Sequence, residues 1–293
     1  MSLQQLIDAP TLVVLAAGLG SRFGGSKQIA VLPSIERTIM ELSIEDAYAA
    51  GVRRAVLVIS ARVRQVIEQQ ILPRLPKELE VILVEQRVSD VPEQFIELAK
   101  QREKPWGTGH ALLTAKPYIT GPAIVITADD YYGKQAYIQM VHHFQRSPRN
   151  MAMVAYALVN TLSSAGGVNR GICQLEGNRL VGVKEYENIQ QTERGLIGSF
   201  DDASHTLPNT ALASMTFWGV TEALFAELEY GFNEFLRTYD SDVIKEYYLP
   251  NCIEQCIVSK NMDLTVYSAK DHWYGVTFKE ELAAVAGKIN EQR

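Results

Sequence analysis

The chain has 293 residues, 47% apolar and 21% charged, with a formal net charge of −6, the balance of a soluble globule that can bury a core without metal or disulfide staples. No block of Lys or Arg stands out, which argues against broad nucleic-acid binding, because neutralising a phosphate backbone needs a basic face. No stretch approaches the roughly 20 apolar residues of a membrane span, and the N-terminus lacks a basic segment followed by a long apolar run, so a cytoplasmic protein with no membrane partner is expected.

Residues 12–17 (LVVLAA) form a short apolar run that stops at Gly18, which predicts a strand buried on both faces. A helix is expected over about 38–50, closed by Gly51. Residues 55–60 read as a second buried strand, and 62–72 then place Val63, Val66, Ile67 and Leu72 near one helical face before Pro73. Further strands are expected at 81–86 and 123–130, the latter ending in Asp129 and Asp130, with helices over about 109–116 and 134–145. Strand and helix thus alternate four times before residue 150. That pattern predicts an α/β fold, a Rossmann-like, mostly parallel sheet with helices on both faces. Ligands of such sheets bind beyond the carboxyl ends of the strands.

The second half differs. Residues 151–159 read as a strand, and 171–176 and 179–186 flank Gly177-Asn178 as a hairpin. The polar stretch 187–211 is expected to be a loop, followed by a strand at 214–220, an amphipathic helix over 221–236 and a C-terminal helix over about 278–291. That last helix is able to pack on its own domain or on a second copy of the chain, as in a homo-oligomer. The half reads as a β-rich elaboration of the same sheet. Cys252 and Cys256 lie four apart in a helical stretch without a nearby His and are expected to be buried thiols rather than zinc ligands. His142 and His143 are expected on a helix surface, and Trp218 and Trp273 in the core.

The most informative stretch is LAAGLGSRFGGSKQ (15–28). A buried strand opens into a loop with four glycines, Arg22 and Lys27. Glycines let the backbone approach a phosphate, and successive N–H groups form an anion nest; the two cations reach phosphate oxygens. The dinucleotide fingerprint G-x-G-x-x-G fails at Phe23, and the strand that should end in its acidic partner ends in Ser60. The Walker pattern fails because Ser26 precedes Lys27 and Gln28 follows it.

This stretch resembles the signature L-A-A-G-x-G-x-R, followed by a lysine, of the sugar-1-phosphate nucleotidyltransferases. A related form with R-F-G and K-Q occurs in the cytidylyltransferases of isoprenoid synthesis. The resemblance continues with Gln86 at the end of the third strand, the run Trp106-Gly107-Thr108-Gly109, Asp129 after the fourth strand, and Arg170, Gly171 and Glu185 in the second half. It implies a nucleotide-binding half at 1–150 and a sugar-phosphate-binding half at 151–293 of one continuous domain. It further implies that Ala16, Ala17, Gly18, Gly20 and Ser21 cradle the triphosphate, with Arg22 and Lys27 as the catalytic cations. Gln86, Gly107 and Thr108 would select the base; Arg170, Gly171 and Glu185 would orient the sugar; Asp129 would hold Mg²⁺. The thymidylyltransferases of this family carry a second metal-binding aspartate in a W-x-D segment. Here Trp273-Tyr274-Gly275 has no acid after the tryptophan, and Asp271 stands just before it.

The implied reaction joins an NTP and a sugar 1-phosphate into an NDP-sugar with release of pyrophosphate. A phosphate monoester has its second pKa near about 6 and is already an anion at neutral pH, so no general base is needed. Positioning and charge neutralisation supply the catalysis. Two other readings stand beside it: a cytidylyltransferase for a non-sugar alcohol phosphate, and a nucleotide-sugar-binding regulatory protein without turnover, which the missing W-x-D acid motivates.

Overall fold

The computed structural model describes residues 9–18, 27–163, 166–193, 195–239, 245–260, 262–276 and 279–293. Gly20, Ser21 and Arg22 lie outside the described residues.

The centre of the molecule is a parallel array. β1 (Thr11–Ala16) lies between β4 (Arg54–Ile59) and β6 (Ala123–Thr127), and β5 (Glu80–Glu85) extends the array beyond β4. Alternate β1 side chains enter different cores. Leu12, Val14 and Ala16 join the cluster containing Met40, Ile44 and Phe144; Val13 and Leu15 join the one containing Leu112, Leu224 and Ile253. Each fully buried aliphatic side chain contributes about 1.5–3 kcal/mol, so this strand is fixed from both sides.

Helix α1 (Ile39–Ala50) shows how local chemistry sets the boundaries. Thr38 Oγ1 accepts from Glu41 N at 3.1 Å, and Thr38 N donates to Glu41 Oε2 at 2.7 Å, a reciprocal cap. Gly51 closes the helix at φ +119°, a left-handed conformation that favours glycine. The next helical stretch is less regular than its periodicity suggests. α2 (Ala61–Val66) passes into a π turn (Ile67–Ile71) and then a 3-10 turn (Leu72–Arg74) that contains Pro73. A single-turn α3 (Ile96–Ala99), α4 (Thr108–Ala115) and α5 (Lys134–Arg146) follow.

The same sheet continues through the second half. β13 (Leu212–Val220) runs antiparallel between β6 and β8 (Met151–Ala157), and β14 (Leu264–Ser268) pairs parallel with β8. The predicted hairpin is formed by β9 (Val168–Glu176) and β10 (Arg179–Thr192), joined through Gly177 at φ +63°.

The expected loop at 187–211 is instead strand. β10 continues to Thr192, and β11 (Gly195–Phe200) and β12 (Ala203–Leu207) pair antiparallel beyond it. This arm stands at the sheet's far end and buries little more than Ile189, Leu196 and Leu207. Its polar composition reflects two solvated faces rather than irregular backbone.

The predicted helices α6 (Glu222–Arg237) and α8 (Leu282–Gln292) are present, with α7 (Leu249–Lys260) between them. Cys252 and Cys256 are buried in α7 without a disulfide. α8 packs on its own chain: Leu282, Val285, Ala286 and Ile289 meet Leu32, Ile39, Leu42 and Tyr131. Two short pairings complete the frame, β2 (Val31–Leu32) with β3 (Arg37–Thr38), and β7 (Asp130–Tyr131) with β15 (Tyr274–Gly275). No helix among the described residues is long and apolar enough to cross a membrane. His143 departs from expectation. It is buried, with its ring nitrogens 3.0 Å from Tyr267 Oη and 2.9 Å from Asn150 O.

Candidate active site

The parallel strands end on one edge: Ala16 is in register with Ile59, Ile59 with Glu85, and Leu15 with Thr127. Beyond that edge lie Ala17 and Gly18 after β1, Gln86 after β5, and Asp129 and Asp130 after β6. Fold topology alone therefore gathers residues more than a hundred positions apart.

At the β1 end, Gln28 is buried, and its Nε2 donates to Gly18 O at 2.6 Å, tying the two ends of the glycine loop together. Lys27, in the turn beside it, places Nζ 2.6 Å from Asp129 Oδ2, with side-chain exposures of 17% and 28%. The ammonium here neutralises the first acid after β6. Asp130 is held differently. Its Oδ2 accepts from Thr127 Oγ1 at 2.7 Å. Burial, and then the neighbouring Asp129 charge, push its carboxyl up to about 7, although Thr127, Lys27 and Arg170 pull the other way.

The base-side residues form a second group. Gln86 Nε2 donates to Gly107 O at 3.0 Å and lies 3.1 Å from His110 Nδ1, while His110 Nε2 lies 2.8 Å from Asp90 O. These partners assign the proton to Nε2. Burial holds the imidazole pKa below its usual value, so the ring is neutral. With the amide nitrogen engaged on both partners, Gln86 Oε1 is the atom left to meet a ligand. Gly107 has φ +108°, and a Cβ there would fall 2.7 Å from Tyr247 O. Thr108 Oγ1 accepts from Leu249 N at 2.9 Å. Gly107 and Thr108 are thus shaped by the segment entering α7, and only Gly107 O reaches toward Gln86.

The second-half residues form the third group. Gly171 is in register with Glu185 on β10 and with Ser214 on β13. Burial raises the Glu185 carboxyl pKa, and Arg170 lowers it. The Arg170 guanidinium lies 5.2 Å from the Trp273 ring centroid. Trp273 is partly buried and packs against the core, as expected, with Arg170 against its ring. Asp271 is drawn elsewhere: its Oδ2 accepts from Gln135 N at 2.8 Å, at the start of α5. Gly275, two residues after Trp273, is in register with Asp130.

A hard divalent cation suits this donor set. Among the described residues there is no cluster of three or more His, Cys, Asp or Glu. The paired aspartates after β6 offer only oxygen, and one already holds a cation, the Lys27 ammonium. Mg²⁺ typically takes one or two carboxylates and fills its shell with water and substrate phosphate. A cleft of about 1200 Å³ lies at the opposite end of the strands, lined by Gly51, Arg53, Gly121 and Thr221 among others; it contains none of these residues.

Comparison with known proteins gives the family and the fold. The family model described as Nucleotidyl transferase matches residues 11–168, more than half of the chain, and the protein belongs to that family. A curated relative, UTP–glucose-1-phosphate uridylyltransferase 1 of Staphylococcus saprophyticus, is 29% identical over 130 residues, 40% of this chain. The match spans 44% of that protein's length. Among solved structures, the inositol-1-phosphate CTP transferase from T. maritima superposes with a TM-score of 0.64 at 14% identity, covering 97% of each chain. A UDP-glucose pyrophosphorylase complexed with UDP-glucose superposes with a TM-score of 0.62 at 18% identity, covering 97% of this chain and 100% of the other. At these identities the structural likeness is one of fold.

Proposed function

We propose that the protein transfers a nucleotidyl group from an NTP to a sugar 1-phosphate, giving an NDP-sugar and pyrophosphate. In this reading residues 1–150 serve the nucleotide and 151–293 the acceptor. The observation that carries it is the convergence of Lys27 and Asp129 at 2.6 Å beyond β1 and β6, inside the stretch that matches the family.

An acceptor phosphate oxygen forms a bond to the α-phosphorus. The bond from that phosphorus to the bridging oxygen breaks, and its electron pair leaves with pyrophosphate. The nucleophile enters as an anion, so no side chain takes a proton. Lys27 exchanges Asp129 for the phosphates and spreads the charge that builds between two anions. Backbone groups around Gly18, held by Gln28, border the triphosphate. Gln86 Oε1 accepts from the base while His110 fixes its amide. Asp129 and Asp130 would hold Mg²⁺ through carboxylate oxygens, and the ion would supply charge neutralisation at the phosphates.

A cytidylyltransferase acting on a non-sugar alcohol phosphate is the second reading. It draws on the run RFGGSKQ (22–28) and on the fold shared with the inositol-1-phosphate CTP transferase. Pyrophosphate release, measured with ATP, CTP, GTP and UTP against sugar 1-phosphates, inositol phosphate and phosphocholine in Mg²⁺, separates the two. Release with a sugar 1-phosphate supports the first, and release only with an alcohol phosphate supports the second. Nucleotide binding without release from any pair contradicts both.

A further inference from the structure

The turn that carries Gly107 is held along its length by the segment that enters α7. Arg102 bridges the start of the two stretches: its Nη2 donates to Pro105 O at 2.8 Å and to Lys245 O at 2.9 Å. Tyr247 N then donates to Trp106 O at 2.6 Å, and Tyr247 O accepts from Gly109 N at 2.9 Å. Leu249 N follows with its bond to Thr108 Oγ1. Both backbone polar groups of Tyr247 are thus spent on the turn. The two residues that hold the Gln86 carboxamide are Gly107, inside this clasp, and His110, directly after it.

The Tyr247 side chain fixes that backbone. Within 245–248 it is the one buried residue; Lys245 and Tyr248 are exposed and Glu246 is half-buried. Its ring lies against Phe232 and Phe235 of α6, at centroid distances of 5.5 and 5.7 Å. Its Oη donates to Leu228 O at 3.1 Å, on the same helix. The side chain also runs close over two glycines: a Cβ on Gly109 would fall 2.5 Å from Tyr247 Cδ1, and one on Gly231 2.5 Å from Oη. The ring therefore has one seat, shared between α4 and α6. Hydrogen bonds weaken steeply with misalignment. A turn released from this clasp would no longer present Gly107 O and the His110 ring at the spacing that engages both protons of the Gln86 amide.

We infer that Tyr247 is a positioning residue for base recognition: through Trp106 and Gly109 it sets the turn that orients the Gln86 carboxamide. This rests on the nucleotidyl-transfer reading, in which Gln86 Oε1 accepts from the base. Tyr247 itself touches no substrate. Its effect falls on discrimination among bases, because the group it orients contacts the base and not the triphosphate.

The test is calorimetric titration of ATP, CTP, GTP and UTP into the full chain and into Tyr247→Phe, Tyr247→Leu and Tyr247→Ala. Tyr247→Phe keeps the ring and should stay within about threefold of wild type for every triphosphate. Tyr247→Leu and Tyr247→Ala lose the ring. Their affinity for the preferred triphosphate should fall by about tenfold, the scale of one lost hydrogen bond, while that for the least favoured changes by less than about twofold. In a Gln86→Ala background, Tyr247→Leu should weaken binding by less than about twofold further, because both substitutions act on one contact. Thermal unfolding accompanies the titrations, and Tyr247→Leu carries the test if Tyr247→Ala does not fold. Unchanged affinities, equal weakening of all four triphosphates, or independent losses from the Tyr247 and Gln86 substitutions overturn the inference and leave the nucleotidyl-transfer reading in place. A wild-type chain that binds none of the four removes that reading, and this inference with it.

Discussion

Asp271 offers a direct contest between two roles. It lies near the position where a metal-binding acid is expected, but its Oδ2 accepts from Gln135 N at 2.8 Å. The N-cap of helix α5 is Gly133, which has no side chain to cap it, so Asp271, 136 positions after Gln135, supplies the cap. Truncation by Asp271→Ala removes one charge-assisted hydrogen bond and one anion at a helix N-terminus, together about 1–2 kcal/mol. At about 2–4 °C per kcal/mol for a chain of this size, Tm should fall by about 2–8 °C. Asp271→Asn keeps an acceptor and should recover part of the loss. Urea unfolding followed by circular dichroism reads the stability, and electron paramagnetic resonance of added Mn²⁺ reads cation binding. The cap requires a loss of stability with cation affinity unchanged. Unchanged stability with weakened Mn²⁺ binding would refute the reasoning and make Asp271 a ligand.

Three other perturbations follow from the geometry. Gly107→Ala places a Cβ 2.7 Å from Tyr247 O at φ +108° and should destabilise the chain by more than about 1 kcal/mol in urea unfolding. Gln86→Ala removes the donor to Gly107 O and His110 Nδ1; in the proposed reading, where its contact is to the base and uniform between ground and transition state, it should raise nucleotide KM by about tenfold at nearly constant kcat. Burial raises the Asp46 carboxyl from 3.8 to about 6 against the opposing pull of Arg293. Between those values the folded chain keeps a proton that the unfolded chain has lost. This contribution is therefore complete below about pH 3.8 and is lost as pH rises through 6, a fall of about 3 kcal/mol. Asp46→Asn should remove it, so the stability of the variant relative to wild type should rise by about that amount between pH 4 and pH 7 in urea titrations.

Much of this was legible wherever the signal is local. Gly51 marks the end of its helix because such a stop acts within a few residues, and the apolar runs before Gly18, Ser60 and Asp129 mark strands because burial on both faces leaves no alternation. Parallel pairing then places Gln86 and Asp129 on one edge. The rest depends on contacts between distant residues. The His143 partner Tyr267 is 124 positions away, so nothing nearby distinguishes that residue from the exposed His142. The strands in 187–207 carry few apolar residues because the arm has almost nothing to pack against. Thr108 belongs to a glycine-containing turn, yet its hydroxyl is taken by Leu249 N across the fold. Trp273 packs against the core as expected, but a sequence does not reveal that Arg170 approaches its ring.

The central claim is that Lys27 and Asp129 act on the same triphosphate. Steady-state pyrophosphate release by Lys27→Ala and by Asp129→Asn, each with the preferred substrate pair, tests it most directly. Each variant should lose about 10²–10³-fold in kcat, the range for removing one preorganised charge-stabilising group, while nucleotide KM changes by less than about tenfold. Turnover at the wild-type rate in either variant would contradict the claim.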